Sequence, residues 1–328
     1  MSDRIRLKVA TWDYDHIRDF RSGSVRAEGI DISPWLIMDF HEIFARFLAN
    51  QEWDVTELSF AKFVAEATRP DAEIIGLPVF LRRAFRFGYI FVNRTKGIRE
   101  PRDLRGKRIG IPEWAQTATV YMRGWLQDDV GIPLTEVDWV QAGTDEVGRP
   151  ELVEMDLPAG VRLTRVTDKT LSEMLEDGEL DCAMAATPPK AFGRNPDVVR
   201  LFPDTRQMEE SYYAARRVYP IMHIVAMRKA LLRDDPWIAR NLYNAFEESK
   251  QRSLARIRRG LDYPIPWLAD HAALVARTFG GDFFPYGIEE NRTTLELFLR
   301  YAHEQGIVPR KVEPEELFPQ GIMVAARI

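Results

Sequence analysis

Cysteine is almost missing from this sequence: Cys182 is the only one among 328 residues. A single thiol cannot form an intramolecular disulfide, so the sequence carries no mark of an oxidising compartment. Cys182 falls inside the apolar run 180–186, a pattern typical of a buried strand. We therefore interpret it as a structural thiol rather than a nucleophile.

Long apolar runs are missing as well. No stretch approaches the ~18 apolar residues of a membrane helix. The charged opening MSDRIRLK lacks the apolar run of roughly 7–15 residues that a secretory signal requires. Unless a signal has already been removed, the sequence predicts a cytoplasmic protein with no membrane partner.

Charge of one sign and common chemical motifs are also scarce. The 45 basic and 50 acidic residues are interspersed and give a net charge of −5. The basic stripe expected for a nucleic-acid partner is therefore lacking. The chain has no G-x-G-x-x-G, Walker A, H-E-x-x-H, C-x-x-C or G-x-S-x-G motif, which excludes the commonest nucleotide, zinc and serine-hydrolase interpretations.

What the sequence does contain is an alternation of strand and helix patterns. Apolar runs indicate strands at 5–10, 73–80 and 221–227, and helical spacing of apolar residues predicts helices at 60–67 and 236–258. This alternation is typical of an α/β fold with largely parallel sheets covered on both faces. The length of 328 residues suggests two domains.

Several longer phrases resemble known proteins. DLRGKRIG at 103–110 is similar to the start of the second lobe in type 2 periplasmic-binding-protein folds. ELSFAKFVA (57–65), GLPVFLRRAFRFGYIFVN (76–93), YPIMHIVAMR (219–228) and FPYGIEENRTTLE (284–296) resemble the 4,5-dihydroxyphthalate decarboxylase family. That family shares the binding-protein fold and acts on an aromatic diacid, and the resemblance covers nearly the whole chain.

The resemblance implies a periplasmic-binding-protein-like type 2 fold, in which two α/β lobes are joined by two crossing strands with a ligand cleft between them. Lobe 1 is expected at 1-88 and 224-328, and lobe 2 at 89-223. The crossing strands are expected at 87–93 and 221–227. A ligand is expected in the cleft, beyond the carboxyl ends of the strands.

Three arginines are candidates for binding a dicarboxylate: Arg82, Arg83 and Arg86 follow a strand predicted to end at Phe80. A guanidinium can bind a carboxylate through two parallel hydrogen bonds. A solvated basic loop is the alternative interpretation. Arg83 and Arg86 are the favoured pair, because neighbouring phenylalanines indicate partial burial.

The loop that opens the helix after the predicted strand 108–111 is a second candidate anion site. Unpaired N–H groups and the positive end of the helix dipole attract anions at a helix start. Thr117 adds a hydroxyl at this point. Glu113 would repel a carboxylate, so we interpret it as a candidate proton carrier. Simple helix capping is the alternative.

His16 and His223 are candidate catalytic acids, because histidine exchanges protons near neutral pH. For His223, which lies in an apolar strand, a satisfied core residue is the alternative. No two of the histidine and glutamate candidates have the spacing of helical metal ligands, and no metal is predicted. The remaining candidate substrate contacts are aromatic or polar residues that follow or end predicted strands or cap a helix: Trp12, Glu57, Ser59, Thr187 and Tyr286.

Two hypotheses of function follow. The first is a carbon–carbon lyase that removes carbon dioxide from a hydroxylated aromatic acid by ring protonation in the closed cleft, without an organic cofactor. The second is a non-catalytic protein that binds a small aromatic or aliphatic acid. A weaker third option is a subunit interaction through the Gly- and Pro-rich stretch 143–160. A homo-oligomer is compatible with the sequence.

Overall fold

Two sheets organise residues 4–323, which are the residues described by the computed structural model. Each sheet is the centre of one α/β unit. Unit 1 comprises the described residues of Met1–Arg83, Ile221–Leu295 and Glu313–Ile328, and unit 2 comprises Ala84–Pro220 and Glu296–Val312. None of the helices within residues 4–323 is long and apolar enough to cross a membrane.

The strands and helices follow one another in the alternation that the sequence predicts. Within residues 4–323 the eleven strands are β1 (Ile5–Thr11), β2 (Ile30–Ile37), β3 (Val55–Ser59), β4 (Ile74–Arg83), β5 (Ile90–Asn93), β6 (Arg108–Ile111), β7 (Asp138–Gln141), β8 (Arg162–Arg165), β9 (Cys182–Met184), β10 (Val198–Arg200) and β11 (Ile221–Arg228). The eleven α-helices of the same residues are α1 (Arg18–Arg21), α2 (Phe40–Asn50), α3 (Phe60–Ala67), α4 (Thr117–Trp125), α5 (Leu171–Glu176), α6 (Thr205–Arg216), α7 (Leu231–Asp234), α8 (Trp237–Arg259), α9 (Leu268–Phe279), α10 (Arg292–Glu304) and α11 (Gln320–Met323).

Both sheets are mixed, whereas the alternation of elements predicted largely parallel sheets. The sheet of unit 1 has the order β2-β1-β3-β11-β4, and β11 is antiparallel to both of its neighbours. The sheet of unit 2 has the order β10-β5-β9-β6-β7-β8, and β5 is antiparallel to both of its neighbours. The chain reaches β11 from unit 2 and β5 from unit 1, so neither strand needs the helical crossover that makes neighbours parallel.

The central strands of unit 1 carry polar side chains into the core. Every residue of β3 is buried, and so are the first seven residues of β11. Most of these side chains are apolar, but Glu57 and His223 are buried among them. Burying a charged group is costly unless it is paired. These two strands therefore mark a candidate functional site.

Strand β4 extends to Arg83 and not only to Phe80, which corrects the prediction for the arginine segment. The strand is longer because β11 pairs with it, with Ile221 opposite Arg83 and His223 opposite Arg82. Arg82 and Arg83 therefore lie on a strand rather than in a solvated loop.

The structure also divides the chain differently from the predicted lobes. Residues 296–312 belong to unit 2, although 224-328 was assigned to lobe 1. Within unit 2, the Trp114 Nε1–H donates to the Gln305 carbonyl at 2.8 Å, and the Arg123 Nε–H donates to the Gln305 side chain at 2.8 Å. These buried hydrogen bonds connect the segment to α4. Residues 1–3 and 324–328, which the sequence assigned to lobe 1, lie outside the described residues.

Gly124 of α4 provides a test of this packing, because a Cβ at this position would overlap the Tyr301 ring. A glycine-to-alanine change inside a helix normally stabilises it by up to ~1 kcal/mol. Overpacking a buried contact costs ~1–3 kcal/mol, so at this position the change should destabilise the protein. We expect Gly124→Ala to lower the free energy of unfolding, measured by urea denaturation. Gly281→Ala is the control, since a Cβ there would meet nothing within 4 Å; equal effects in both variants would contradict the packing.

Candidate active site

The centre of the candidate site is the carboxylate of Glu57, which is 0% exposed. The Tyr14 hydroxyl donates to Oε1 at 2.5 Å, the backbone N–H of Trp12 donates to Oε2 at 2.8 Å, and Nδ1 of His223 lies 2.5 Å from Oε1. Burial by itself would raise the pKa of Glu57, but the hydrogen bonds and charge of these partners outweigh burial and lower it. Glu57 is therefore a buried anion with three partners.

Three neighbouring strands bring these groups together. Strands β1 and β3 are parallel, with Ala10 opposite Thr56, so the residues that follow β1 lie beside Glu57. On the other side of β3, the antiparallel strand β11 places His223 opposite Ser59. The polar loop after β1 and the two central strands thus meet at one edge of the sheet, which is where binding residues of α/β proteins are usually found.

His223 lies between the Glu57 carboxylate and two phenylalanine rings of α2. Its ring centroid is 5.5 Å from that of Phe40 and 5.1 Å from that of Phe44. Because Nδ1 is bonded to Glu57, Nε2 lies on the far side of the imidazole from the carboxylate. A carboxylate that orients one ring nitrogen, so that the other can exchange a proton, is a common arrangement for general acid–base chemistry.

His16 has a different environment from His223. Its ring is 5.2 Å from that of Tyr14 and 5.1 Å from that of Phe284, and its buried Nε2 has no hydrogen-bond partner among the residues that the structure describes. Burial lowers the pKa of His16 to about 4, against the opposing effects of Glu57 and Asp15. His16 is consequently neutral near pH 7, and its role as a catalytic acid stays a prediction.

The two arginines of β4 have separate roles. The Arg82 guanidinium lies 5.1 Å from the centroid of the Phe40 ring, and its charge opposes the rise in the pKa of Tyr14 that burial and Glu57 cause. Arg82 is thus close to the Glu57 cluster. Arg83 is 7% exposed, and its Nη2 donates to the Pro285 carbonyl at 2.7 Å and to the Asn291 side chain. Arg83 therefore supports the turn at 284–287.

The remaining predicted contacts of unit 1 lie around this cluster. Ser59 is buried opposite His223 and occupies the N-cap position of α3. Tyr286 is buried in the turn that Arg83 supports. The Trp12 ring is 40% exposed and packs edge-on against Phe40. The predicted sandwich of a ligand ring between Trp12 and Tyr286 stays a prediction.

Four predicted site residues belong to unit 2: Arg86, Glu113, Thr117 and Thr187. Arg86 is buried and donates to the Ala186 carbonyl at 3.1 Å, next to the exposed Thr187. Glu113 is buried and accepts from Arg149 Nε at 2.6 Å. The proton-carrier role predicted for Glu113 stays a prediction.

The loop before Thr117 already holds an anion, and it is one that the chain itself supplies. The backbone N–H groups of Trp114 and Ala115 donate to Oε2 of Glu151 at 2.7 and 3.2 Å. The sequence predicted an anion at this loop, and Glu151 of the stretch 143–160 supplies one. Contact of Thr117 with a ligand stays a prediction.

Sequence reasoning missed three residues of unit 1 that the structure connects to the cluster: Tyr14, Lys250 and Asn291. Tyr14 lies in the polar loop that follows β1, and nothing in the sequence of this loop distinguished it from its neighbours. Lys250 had a usable signal, because it lies four residues after Phe246 and four before Leu254 on the buried face of α8. A lysine at an apolar position of a helix indicates a paired buried charge.

The described residues show no preformed metal site. Among residues 4–323, no group of three His, Cys, Asp or Glu side chains is arranged to hold a metal ion. Glu57 and His223 bond to each other, and Glu113 belongs to unit 2.

The fold matches that of known binding proteins. The periplasmic aliphatic sulphonate binding protein SsuA from Escherichia coli has a TM-score of 0.54 and 13% identity, and the match covers 98% of this chain and 99% of SsuA. This likeness confirms the predicted periplasmic-binding-protein-like type 2 fold, and at such low identity it shows the fold alone.

Relatives at higher identity define the family. No protein-family model matches the chain. A 4,5-dihydroxyphthalate decarboxylase of Comamonas testosteroni is 34% identical over 319 residues, or 96% of each chain. A 4,5-dihydroxyphthalate decarboxylase of Pseudomonas putida is 34% identical over 215 residues, or 65% of this chain and 83% of that one. The chain belongs to the 4,5-dihydroxyphthalate decarboxylase family, as the resemblance in the sequence predicted.

His16 should make the stability of the protein depend on pH. Its pKa is 6.5 when the residue is unperturbed and about 4 in the folded protein, so between these values the unfolded state binds more protons. Stability is therefore lost as the pH falls through 6.5, by about 2 kcal/mol at pH 5. We expect His16→Asn to remove a loss of about this size between pH 7 and pH 5, measured by urea denaturation at both pH values.

The control for this measurement is His271→Asn, which changes an exposed histidine of α9. This variant should lose as much stability as the unaltered protein when the pH falls. An unchanged pH dependence in His16→Asn would show that the histidine is not held neutral.

Proposed function

We propose that the protein is a carbon–carbon lyase that decarboxylates a hydroxylated aromatic dicarboxylate of the 4,5-dihydroxyphthalate type. The observation that carries this proposal is the buried pair of Glu57 and His223, which joins an anion to an imidazole at the edge of a sheet. The names of the two relatives supply the reaction class and the substrate class. Binding in the inter-lobe cleft that the sequence predicts is part of the proposal.

The reaction requires a proton at the ring carbon that bears the leaving carboxylate. In our proposal, Nε2 of His223 donates that proton, and a hydroxyl para to the carbon supplies electron density to the ring. The bond from the ring carbon to the carboxylate then breaks, its electron pair restores the aromatic ring, and carbon dioxide leaves. One proton replaces one carbon dioxide, so atoms and charge balance, and His223 regains its proton from solvent.

His223 is a better donor than His16 on electrostatic grounds. The buried anion of Glu57 balances the positive charge of a protonated His223 ring, whereas burial lowers the pKa of His16 to about 4. A general acid must hold its proton near the operating pH. The neutral His16 is then available to donate a hydrogen bond to an oxygen atom of the substrate. The Tyr14 hydroxyl donates its proton to Glu57, so its oxygen can accept a hydrogen bond from a substrate hydroxyl.

Carboxylate binding is assigned mainly to Arg82 among the residues of unit 1. Its guanidinium lies close to Tyr14, whereas the Arg83 guanidinium donates to Pro285 and Asn291. An arginine can hold a carboxylate through two parallel hydrogen bonds. When His223 is protonated, its charge cancels that of Glu57, so the anion of the protein does not repel the substrate. Arg86, Thr117 and Thr187 stay predicted contacts from unit 2.

The variant His223→Asn tests the assignment of the acid. An asparagine amide can still donate to Glu57, so the variant removes the proton carrier and keeps the buried hydrogen bond. We expect carbon dioxide release from 4,5-dihydroxyphthalate to fall by about 10²–10⁴-fold, the usual contribution of a general acid. His16→Asn should lose much less. A larger loss in His16→Asn than in His223→Asn would contradict this assignment.

The alternative predicted from the sequence is a protein that binds a small acid without turning it over, a function for which the fold shared with the binding protein SsuA is suitable. Incubation with 4,5-dihydroxyphthalate separates the two functions. A rise in the unfolding temperature without release of carbon dioxide would support binding alone. Carbon dioxide release that depends on His223 would exclude the alternative.

A further inference from the structure

Tyr286 places a phenol hydroxyl in the core without a partner. The residue is 3% exposed, and its hydroxyl is buried with no hydrogen bond to any of the residues that the structure describes. Buried hydroxyls are nearly always hydrogen-bonded, and an unsatisfied one costs on the order of 1–3 kcal/mol. Burial raises the pKa of Tyr286 well above its usual value, so the hydroxyl remains a donor.

The backbone around Tyr286 is held on both sides. The Pro285 carbonyl accepts from Arg83 at 2.7 Å and from the Asn291 amide at 3.1 Å, and the Asn291 amide also donates to the Gly287 carbonyl at 2.8 Å. The N–H of Gly287 donates to the Pro78 carbonyl at 2.8 Å. A hydroxyl on such a fixed turn is preorganised for a hydrogen bond that the protein itself does not make.

Lys250 fixes the other side of the ring. This lysine is 1% exposed, and its Nζ lies 4.5 Å from the centroid of the Tyr286 ring, a cation–π contact. The ammonium group is also 2.7 Å from Asp282 Oδ2 and 2.9 Å from Glu247 Oε1. Asp282 in turn accepts from the N–H of Phe284 at 2.9 Å. Lys250 therefore fixes both the ring of Tyr286 and the chain that precedes it.

Tyr286 is also close to the Glu57 cluster. The rings of Tyr14, His16, Phe284 and Tyr286 follow one another with successive centroid distances of 5.2, 5.1 and 6.4 Å. The phenol of Tyr286 also contributes to the rise in the pKa of Tyr14, after burial and Glu57. A ligand that reaches His16 is thus within a few side chains of the Tyr286 hydroxyl.

Charges of both signs surround Tyr286. Lys250 and Arg83 are positive, and Glu247 and Asp282 are negative. Such mixed surroundings attract a carboxylate less strongly than an arginine does by itself. They are well suited to a neutral hydroxyl, which can accept a hydrogen bond from a phenol.

We propose that Tyr286 donates a hydrogen bond to a ring hydroxyl of the aromatic substrate, and that Lys250 is a positioning residue that holds Tyr286 for this contact. This subsite would select hydroxylated rings over plain aromatic acids. The inference rests on the proposed function for the identity of the ligand. It assigns the recognition of the ring hydroxyl to a part of unit 1 that takes no part in the proton transfer.

Calorimetric titration with 3,4-dihydroxybenzoate and with benzoate tests the proposal, because the two ligands share a carboxylate and differ only in ring hydroxyls. In the unaltered protein we expect 3,4-dihydroxybenzoate to bind more tightly. Tyr286→Phe removes only the hydroxyl, and it should reduce this preference by about 3- to 10-fold, the usual effect of one neutral hydrogen bond. The affinity for benzoate should not change.

Tyr243→Phe is the matched control, since it removes a hydroxyl from a tyrosine of α8 whose oxygen lies near Gly287. It should keep the full preference. Lys250→Gln should reduce the preference as Tyr286→Phe does, and adding it to Tyr286→Phe should have no further effect on the preference. General damage to the fold would weaken both ligands alike, so the ratio of the two dissociation constants distinguishes positioning from stability.

The outcomes test the hydroxyl subsite and the proposed catalysis separately. If Tyr286→Phe weakens both ligands equally, or neither, the hydroxyl subsite is wrong even when carbon dioxide is released normally. If the unaltered protein prefers 3,4-dihydroxybenzoate through Tyr286 but releases no carbon dioxide from 4,5-dihydroxyphthalate, the subsite stands and the proposed catalysis fails. If the unaltered protein binds neither ligand, the hydroxyl subsite is overturned, and the proposed catalysis is decided by the release of carbon dioxide from 4,5-dihydroxyphthalate.

Discussion

The hydrogen bond between Glu57 and His223 is the interaction on which the rest of the candidate site depends. A fully buried carboxylate is stable only when donors surround it, and Glu57 obtains them from Trp12, Tyr14 and His223. These donors come from two different segments of the chain. Hydrogen bonding to the Glu57 carboxylate therefore places the loop after β1 close to strand β11. The same constraint fixes which nitrogen of the imidazole lies away from the carboxylate.

Much of the fold could be predicted from local pattern. The helix at 60–67 has the predicted bounds, and α8 begins and ends one residue later than predicted, because a stripe of apolar residues has the period of a helix. The mixed order of the sheets could not be predicted in this way. Strand β11 pairs with β3 and β4, which lie more than 100 residues earlier in the chain. The apolar run of a strand does not specify which distant strand pairs with it.

The sequence named candidate residues of the site but not their partners. It pointed to Glu57 beside a helix cap, to His223 as a histidine in an apolar strand and to Tyr286 as an aromatic residue in a turn. It could not reveal that Arg83 supports a turn, or that the His16 pKa is lowered, since both follow from contacts with distant segments. The sequence did not connect Lys250 with Asp282, because this carboxylate partner comes after α9 in the chain.

The contact of Glu151 with the amides of Trp114 and Ala115 has a consequence for selectivity in unit 2. A carboxylate tethered to the chain has an effective concentration on the order of millimolar or higher at its own binding site. A small anion from solution must therefore displace the Glu151 carboxylate before it can bind these N–H groups. The loop thus discriminates against weakly bound anions such as chloride or acetate, and only a ligand with additional contacts could displace the glutamate.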